Sequence, residues 1–557
     1  MTPLGVGLDR MINRSDASSE YHELIREGAR WQVCPNFEWV IEAVADEGQL
    51  REISAGGGRG IYWHDGGPLP LVIKVFGLHG LRETVRPFGG RSAAHREWAV
   101  SQEAYRRHIP VPRPLAFGEI RSHGVPSRAF LVSEGLEGVP LSEYYWTTPV
   151  LREKRVLLAE VARAVRQMHD AGLLHPDLHA GNLFFAPGKG VFLLDLHRGR
   201  LGEPLSVRQR LRNLAVLASS FDALLSRSDR FRFWRAYVAG RPFWKGPTGR
   251  LWTDLHALEV RHRRREWKAK DRRCLRDSRA FLAFREGEYR GFCQRRHMTP
   301  ALRELLGTPS RLVDGASCHL LKDSRTTRVT RRALLPGGPE LFVKRYNYQG
   351  FLYALKDVLR SSRSQRAWIA ANGLVARGIP TATPVAYLER RRLGVLLESY
   401  LITEEVEGEG LREFARRSRA SGASLDEKRQ VTREVAALVR RMHEKGVSHR
   451  DLKGRNILIR QESPGRFRSF LLDLDGVQFG RAGWQRRARD LARLSWDFRD
   501  HPAVTRSDRL RFLLAYLVPK DRPTWKKLWR AVATAEEQAG WALYSLPPWQ
   551  RQGEAGS

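Results

Sequence analysis

Two short stretches of this chain carry residue types at a spacing suited to phosphoryl transfer. The first reads His175-Pro176-Asp177-Leu178-His179-Ala180-Gly181-Asn182, followed by Leu193-Leu194-Asp195-Leu196-His197. The second reads His449-Arg450-Asp451-Leu452-Lys453-Gly454-Arg455-Asn456, followed by Leu471-Leu472-Asp473-Leu474-Asp475. An Asp and an Asn five positions apart place a proton acceptor and a metal ligand on one loop. A carboxylate on the next hairpin completes a divalent-cation site. Asp177 and Asp451 are therefore the candidate bases. Asn182 with Asp195, and Asn456 with Asp473, are the candidate Mg2+ ligands, the cation bridging the phosphates of ATP. A lone Asp in an apolar run such as Leu193-Leu194-Asp195 needs a cation beside it.

Other parts of a nucleotide site precede each loop. Gly56-Gly57-Gly58-Arg59-Gly60 lies between strand-like segments, where Gly56, Gly57, Gly58 and Gly60 would let backbone amides approach phosphate; a plain hairpin turn is the competing reading. Lys74, inside the apolar run Val72-Ile73-Lys74-Val75, would meet the α- and β-phosphates. A lysine there needs a carboxylate, and Glu97 in Arg96-Glu97-Trp98 is the expected one. His175 reads as a brace for the loop. The second copy keeps Lys344, Asp451, Asn456 and Asp473 and adds Lys453, two residues after the base and placed to touch a transferring phosphate. It departs in two places. Lys322 to Thr327 replaces the glycine cluster without a glycine, so close backbone approach is harder. Ala367 stands where Glu97 stands, leaving Glu398 as a possible substitute partner for Lys344.

The elements that position these residues repeat as well. Lys74 and Lys344 are 270 positions apart, Asp177 and Asp451 274, Asp195 and Asp473 278. A nearly constant offset growing slightly in loops is a duplication of a whole domain. Each copy opens with short apolar strands (71–76 and 129–133; 341–344 and 399–403) and continues with helically spaced runs (151–169; 426–443) ended by Gly172 and Gly446. Strands first and helices later is an α+β plan of two lobes. The expected division is an N-terminal extension 1–40, a first domain 41–285, a linker 286–310 marked by Gly291, Pro300, Gly307 and Pro309, and a second domain 311–545.

Composition narrows the class. With 42% hydrophobic and 28% charged residues among 557, the chain is a folded protein of more than one domain. No apolar run reaches the roughly 20 residues that span a bilayer, and residues 1–14 lack a signal-peptide core, so a cytoplasmic protein is expected. Four scattered cysteines suggest neither disulfides nor zinc. The net charge of +35 points to an anionic partner or to decorated solvated faces. No nucleic-acid-binding signature accompanies it, so no specific nucleic acid is expected. The basic stretch Arg261 to Arg276 is the candidate contact with a membrane surface; a solvated interdomain helix is the alternative.

The motifs of both copies resemble the bacterial lipopolysaccharide kinase family, which includes Kdo kinases and core heptose kinases. The resemblance rests on the two loops quoted above, on Arg96-Glu97-Trp98 with Ile109-Pro110-Val111-Pro112-Arg113-Pro114, on Asp195-Leu196-His197-Arg198, and on Arg377 to Pro384 with Asp473-Leu474-Asp475. It spans about 45–285 and 310–520. It implies two tandem protein-kinase-like domains, each with a strand-rich N-lobe and a helical C-lobe. It implies ATP and Mg2+ as cofactors and transfer of phosphate to a heptose or Kdo hydroxyl of the lipopolysaccharide inner core. The acceptor would be an anionic lipid A–core glycolipid, met by peripheral contact with the inner membrane. A protein Ser/Thr kinase is the alternative, although no Ala-Pro-Glu segment follows Asp195 or Asp473. A tandem pseudokinase scaffold at the membrane is another, opposed by the retained Lys, Asp, Asn and Asp. An aminoglycoside-type phosphotransferase is disfavoured by the lack of acidic clusters for a cationic substrate.

Overall fold

The computed structural model describes residues 21–56, 59–77, 92–122, 125–147, 151–221, 225–240, 246–315, 318–333, 340–347, 361–420, 424–480 and 482–544. Mixed helix and sheet is the class, and the chain divides into two compact units between Arg263 and Arg264.

In the first unit, seven antiparallel strands form one sheet, in the order His22–Arg26, Ala29–Val33, Pro114–Ser122, Val125–Glu134, Leu71–Gly77, Arg59–His64, Arg51–Gly56. Period-2 alternation sets its two faces. Leu71 and Ile73 are fully buried with Trp31, Val33, Val40 and Ile41, the last two on the helix Trp39–Ala45. Phe76 packs instead with Trp98, Phe117 and Leu131. Lys74 has the same parity as Phe76, so the strand aims it at the helix Ala93–Arg106, which carries Glu97. Ser92 caps that helix, its Oγ accepting from the His95 N–H at 3.1 Å.

The helical part of the first unit is built on Leu151–Asp170, whose Leu158, Val161, Ala162, Val165 and Met168 are buried in one stripe at helical spacing. Gly172 ends it at φ +83°. The catalytic-loop residues follow, then the hairpin Leu183–Ala186 with Gly190–Leu193 that leads into Asp195.

The second unit repeats this order: Phe281–Glu286, Tyr289–Gln294, Pro384–Arg392, Val395–Glu404, Glu340–Tyr346, Thr327–Ala333, His319–Asp323. Its helix Leu425–Glu444 starts in a capping box between Ser424 and Glu427, buries Val431, Val435, Leu438, Val439 and Met442, and ends before Gly446 at φ +71°.

The folded parts extend past the expected boundaries. His22–Arg26 and Ala29–Val33, assigned to the extension, form the outer hairpin of the first sheet; residues 1–20 lie outside the described residues. The expected linker 286–310 contains Tyr289–Gln294, which pairs with Pro384–Arg392, and the helix Pro300–Gly307. Two of the residues expected to break structure there, Gly291 and Pro300, instead fit regular elements. Gly287 takes φ +56° in the hairpin turn. Gly291 lies so near the Tyr387 carbonyl that a Cβ would collide with it. Pro300 sits in the first helical turn, where it loses no hydrogen bond. Among the described residues, no helix is long and apolar enough to cross a membrane.

Candidate active sites

In the first unit the expected residues converge. Lys74 pairs with Glu97, whose side chain is 2% exposed. Asp195 sits at φ +60° and ψ +62° at the end of its hairpin, a left-handed conformation costing an L-residue on the order of 1 kcal/mol. Asp473 in the second unit repeats it at φ +47°. Strain kept at both copies of one aspartate fits a functional position. Asn182 donates Nδ2 to the Asp177 carbonyl at 2.9 Å, and its own carbonyl accepts from the Leu194 N–H at 2.9 Å. The loop of Asp177 and the turn of Asp195 are thus joined through Asn182. The buried His175 completes the frame through Nε2 and the Leu194 carbonyl at 3.0 Å, the bracing role expected of it.

Two residues that sequence reasoning gave no role enter this site. Arg59, the one side chain within the glycine cluster, lies 3.3 Å from Asp195 and 3.6 Å from Glu97, with its guanidinium 5.0 Å from the Phe76 ring centroid. His197 Nδ1 is 2.8 Å from Asp195 Oδ1. Burial alone would raise the Asp195 carboxyl, but Lys74, Arg59 and His197 outweigh it and hold the group below its ordinary value. Ligand atoms of Glu97, Asp195 and His197 all lie within 4.8 Å of one another, a donor set of two carboxylates and an imidazole. Among the described residues the buried Glu97 Oε2 has no hydrogen-bond partner, only the Arg59 guanidinium at 3.6 Å. These residues and Asn182 fit a divalent cation. Asp177 stays open, its side chain 48% exposed, with His179 Nε2 3.9 Å away. Of the glycine cluster, Gly56 ends one strand and Gly60 lies in the next, with Gly56 paired to Arg59. Gly57 and Gly58, between them, lie outside the described residues.

A layer behind the loop fixes it. Asn213 donates Nδ2 to the His175 carbonyl at 2.6 Å, and its Oδ1 faces His169 Nε2 at 3.0 Å. His169 Nδ1 is 2.8 Å from the Tyr237 hydroxyl. Complete burial drives His169 down to about 3, so it is neutral. The second unit substitutes Asp490 for Asn213, accepting from the His449 N–H and facing His443, each at 3.0 Å.

The second site keeps the frame and rewires the charges. Asn456 Nδ2 donates to the Asp451 carbonyl at 2.8 Å, and His449 Nε2 meets the Asp473 carbonyl at 2.7 Å. Ala367 is fully buried where Glu97 stands in the first unit. Lys344 goes instead to Asp473 at 3.0 Å and Asp475 at 3.3 Å. Glu398 is not its substitute partner. That carboxylate accepts from Tyr289, Tyr400 and Arg390, each at 2.8 Å. Asp451 is clamped by Arg493 at 2.9 Å and Lys453 at 3.2 Å. Burial opposes ionisation of Asp451, and these two cations overcome it and lower the carboxyl below its ordinary value. Lys453, expected to touch a transferring phosphate, here pairs with Asp451, the expected base. In place of the glycine cluster, Ser324 closes the turn between His319–Asp323 and Thr327–Ala333, its N–H and Oγ both donating to the Thr327 carbonyl.

Comparison with known proteins decides the family. The lipopolysaccharide kinase (Kdo/WaaP) family model matches residues 79–237 and again 351–516, more than half of the chain. The chain belongs to this family. Among curated Kdo/WaaP relatives, a "3-deoxy-D-manno-octulosonic acid kinase" of Xanthomonas campestris pv. campestris (strain B100) is 33% identical over 184 residues, 32% of this chain and 71% of that protein. A "Lipopolysaccharide core heptose(I) kinase WaaP" of Escherichia coli is 32% identical over 203 residues, 34% of this chain and 74% of that protein. A solved structure, "WaaP in complex with acyl carrier protein", is 25% identical, with a TM-score of 0.35 and coverage of 44% of this chain and 97% of that one. Two Kdo/WaaP segments in one chain agree with the duplication legible in the sequence, and the protein-kinase alternative is not favoured.

Proposed function

We propose that the chain is a tandem kinase of two bilobal domains that transfers the γ-phosphate of ATP to a heptose or Kdo hydroxyl of the lipopolysaccharide inner core, chiefly at its first site. The observation carrying this is the first-site constellation of Lys74, Glu97, Asp177, Asn182 and Asp195 inside a Kdo/WaaP segment. Asp177, the most open of these carboxylates, accepts the proton as the sugar oxygen bonds to the γ-phosphorus and the bond to ADP breaks. Lys74, oriented by Glu97, holds the α- and β-phosphates. Asn182 and Asp195 are the residues to hold Mg2+, with His197 beside them. When bound, the cation neutralises phosphate charge in the transition state. With the cation bound, Arg59 would keep the Phe76 face and Glu97 as its neighbours in place of Asp195.

The acceptor is an anionic glycolipid, and the positive charge of the chain favours approach to an anionic leaflet from the cytoplasmic side. The exposed basic residues of the helix Thr248–Arg273, among them Arg264, Arg265, Lys268 and Arg272, are the contact surface we assign to it.

The test is transfer of labelled γ-phosphate from ATP to purified deep-core lipopolysaccharide by wild type, Asp177→Ala and Asp451→Ala. Loss confined to Asp177→Ala is the expected result. No labelling by a wild-type protein that still binds ATP would sink the glycolipid reading.

A further inference from the structure

Resting on the reading of the second unit as a nucleotide site, we propose that Asp475 is the positioning residue for Lys344, doing from the metal turn what Glu97 does from the helix for Lys74. Ala367 takes the helix position of Glu97 and cannot pair with a lysine. Yet Lys344 is not stranded, for its Nζ touches both Asp473 and Asp475. The position of Asp475 is held by His197 in the first unit, two residues after the metal-turn aspartate in each. One site therefore has a helix carboxylate with a turn imidazole. The other has a helix alanine with a turn carboxylate. The carboxylate has changed elements and kept its partner.

The surroundings of Asp475 are built to hold it. Tyr346 donates its hydroxyl to Asp475 Oδ1 at 2.9 Å, and Arg363 donates to Oδ2 at 2.9 Å. Tyr346 replaces Phe76, and only the tyrosine has a hydroxyl to give. The Arg363 guanidinium lies 4.9 Å from the Tyr346 ring centroid, much as Arg59 lies on Phe76. Arg59 itself has no counterpart on the strand, because the residue opposite Tyr346 is Thr327. The arginine has moved from strand to helix as the carboxylate moved from helix to turn. With Asp475 in place, Asp473 can leave Lys344 for a cation without leaving the lysine unpaired. Without Asp475, lysine and cation compete for one carboxylate.

The test uses the full chain with the first site disabled by Lys74→Ala and Asp195→Ala, titrated with ATP and Mg2+ by calorimetry. In that background Lys344→Ala should abolish binding. Asp475→Asn and Asp475→Ala should each weaken it by about tenfold or more. Ala367→Glu added to Asp475→Ala should return it to within about threefold of the background, at an unchanged melting temperature. Unchanged affinity in Asp475→Asn overturns the proposal. So does a loss that Ala367→Glu leaves unrepaired, the pattern of a merely structural aspartate. Absence of ATP binding in the background chain, with its melting temperature intact, overturns the nucleotide reading of the second site and this inference with it. Binding that is present but indifferent to Asp475 overturns the inference alone.

Discussion

Glu97→Ala in the first unit should leave Lys74 with the metal-turn aspartate as its one remaining carboxylate, and its cost follows from the structure. Glu97 is 2% exposed and Lys74 16%. Removing one partner of a pair this buried costs about 3–5 kcal/mol, because the other charge is left uncompensated. The second unit shows the relief available: a lysine without its helix carboxylate moves to the metal-turn aspartate, at 3.0 Å from Asp473. Lys74 can do the same with Asp195, so the lower end applies, about 3 kcal/mol. That is a loss of fold stability; in catalysis the displaced Lys74 no longer anchors the phosphates, and kcat/KM should fall by at least about tenfold. The relief also has a signature, because Lys74 then occupies the carboxylate that Mg2+ needs. The Mg2+ concentration for half-maximal activity should rise together with the KM for ATP. The assay is γ-phosphate transfer to deep-core lipopolysaccharide in an Asp451→Ala background, titrated in Mg2+ and in ATP. A Glu97→Ala enzyme within threefold of its parent in kcat/KM, with unaltered Mg2+ dependence, would refute the reasoning.

Exchanging the residues that differ behind the two bases should move activity between them. Val216 occupies the place of Arg493, so Val216→Arg should clamp Asp177 and lower first-site transfer by at least about tenfold, while Arg493→Val should raise second-site transfer in an Asp177→Ala background; both are read as initial rates. Acid should unfold the first unit through His169. Its pKa is about 3 folded and about 6.5 unfolded, so protons favour the unfolded chain. The stability contribution is whole above pH 6.5 and falls by about 1.4 kcal/mol per unit between pH 6.5 and 3. A melting temperature independent of pH from 7 to 5 would contradict this. Charge reversal at Arg264, Arg265, Lys268 and Arg272 should weaken sedimentation with anionic vesicles by about 1 kcal/mol per residue, and added salt should weaken the wild type likewise.

Legibility in the sequence tracked the kind of physics at stake. The loops were legible because Asp177 and Asn182, and Asp451 and Asn456, are short-range partners joined by one local hydrogen bond in each unit. The pairing of Lys74 with Glu97 followed from a simple rule about buried charge. Arg59 was hidden among glycines, where attention goes to the backbone; its charge beside Lys74 was the available signal. Arg493 and Asp490 lie some 40 residues beyond the loop they serve, and only packing of the helix Trp484–Asp497 brings them there. The outer hairpins were missed for a different reason. His22–Arg26 exposes most of its side chains and shows no apolar run. Its partner does show the alternation of a half-buried strand, in Ala29, Trp31 and Val33. Glu398 was a plausible partner by count of acids alone, but Tyr289, supplied by the unread hairpin, turns it to the other side.

The two sites differ in the sign of the charge they retain, and this separates what each does best. In the first, Lys74 and Arg59 contact Glu97 and Asp195, and Asp177 stands apart from them with His179 3.9 Å away. Around the second, Lys344, Arg363, Lys453 and Arg493 face three carboxylates, Asp451, Asp473 and Asp475. The first is left negative, so on the proposed reading a divalent cation should relieve it, with Asp177 free to take a proton. The second is left positive, so it attracts phosphate through fixed side chains while its base is held by two of them. Opposite charges close to a group favour its ionised form and lower its basicity, and a carboxylate spent on Arg493 and Lys453 is a weak proton acceptor. On the proposed reading such a site should hold a nucleotide more readily than it transfers a phosphate. Duplication gave the chain two copies of one frame. Between them the loss of a helix carboxylate (Ala367 for Glu97) is matched by a turn carboxylate (Asp475 for His197) that Tyr346 and Arg363 hold, and Arg493 adds a clamp on Asp451 that Val216 cannot make on Asp177.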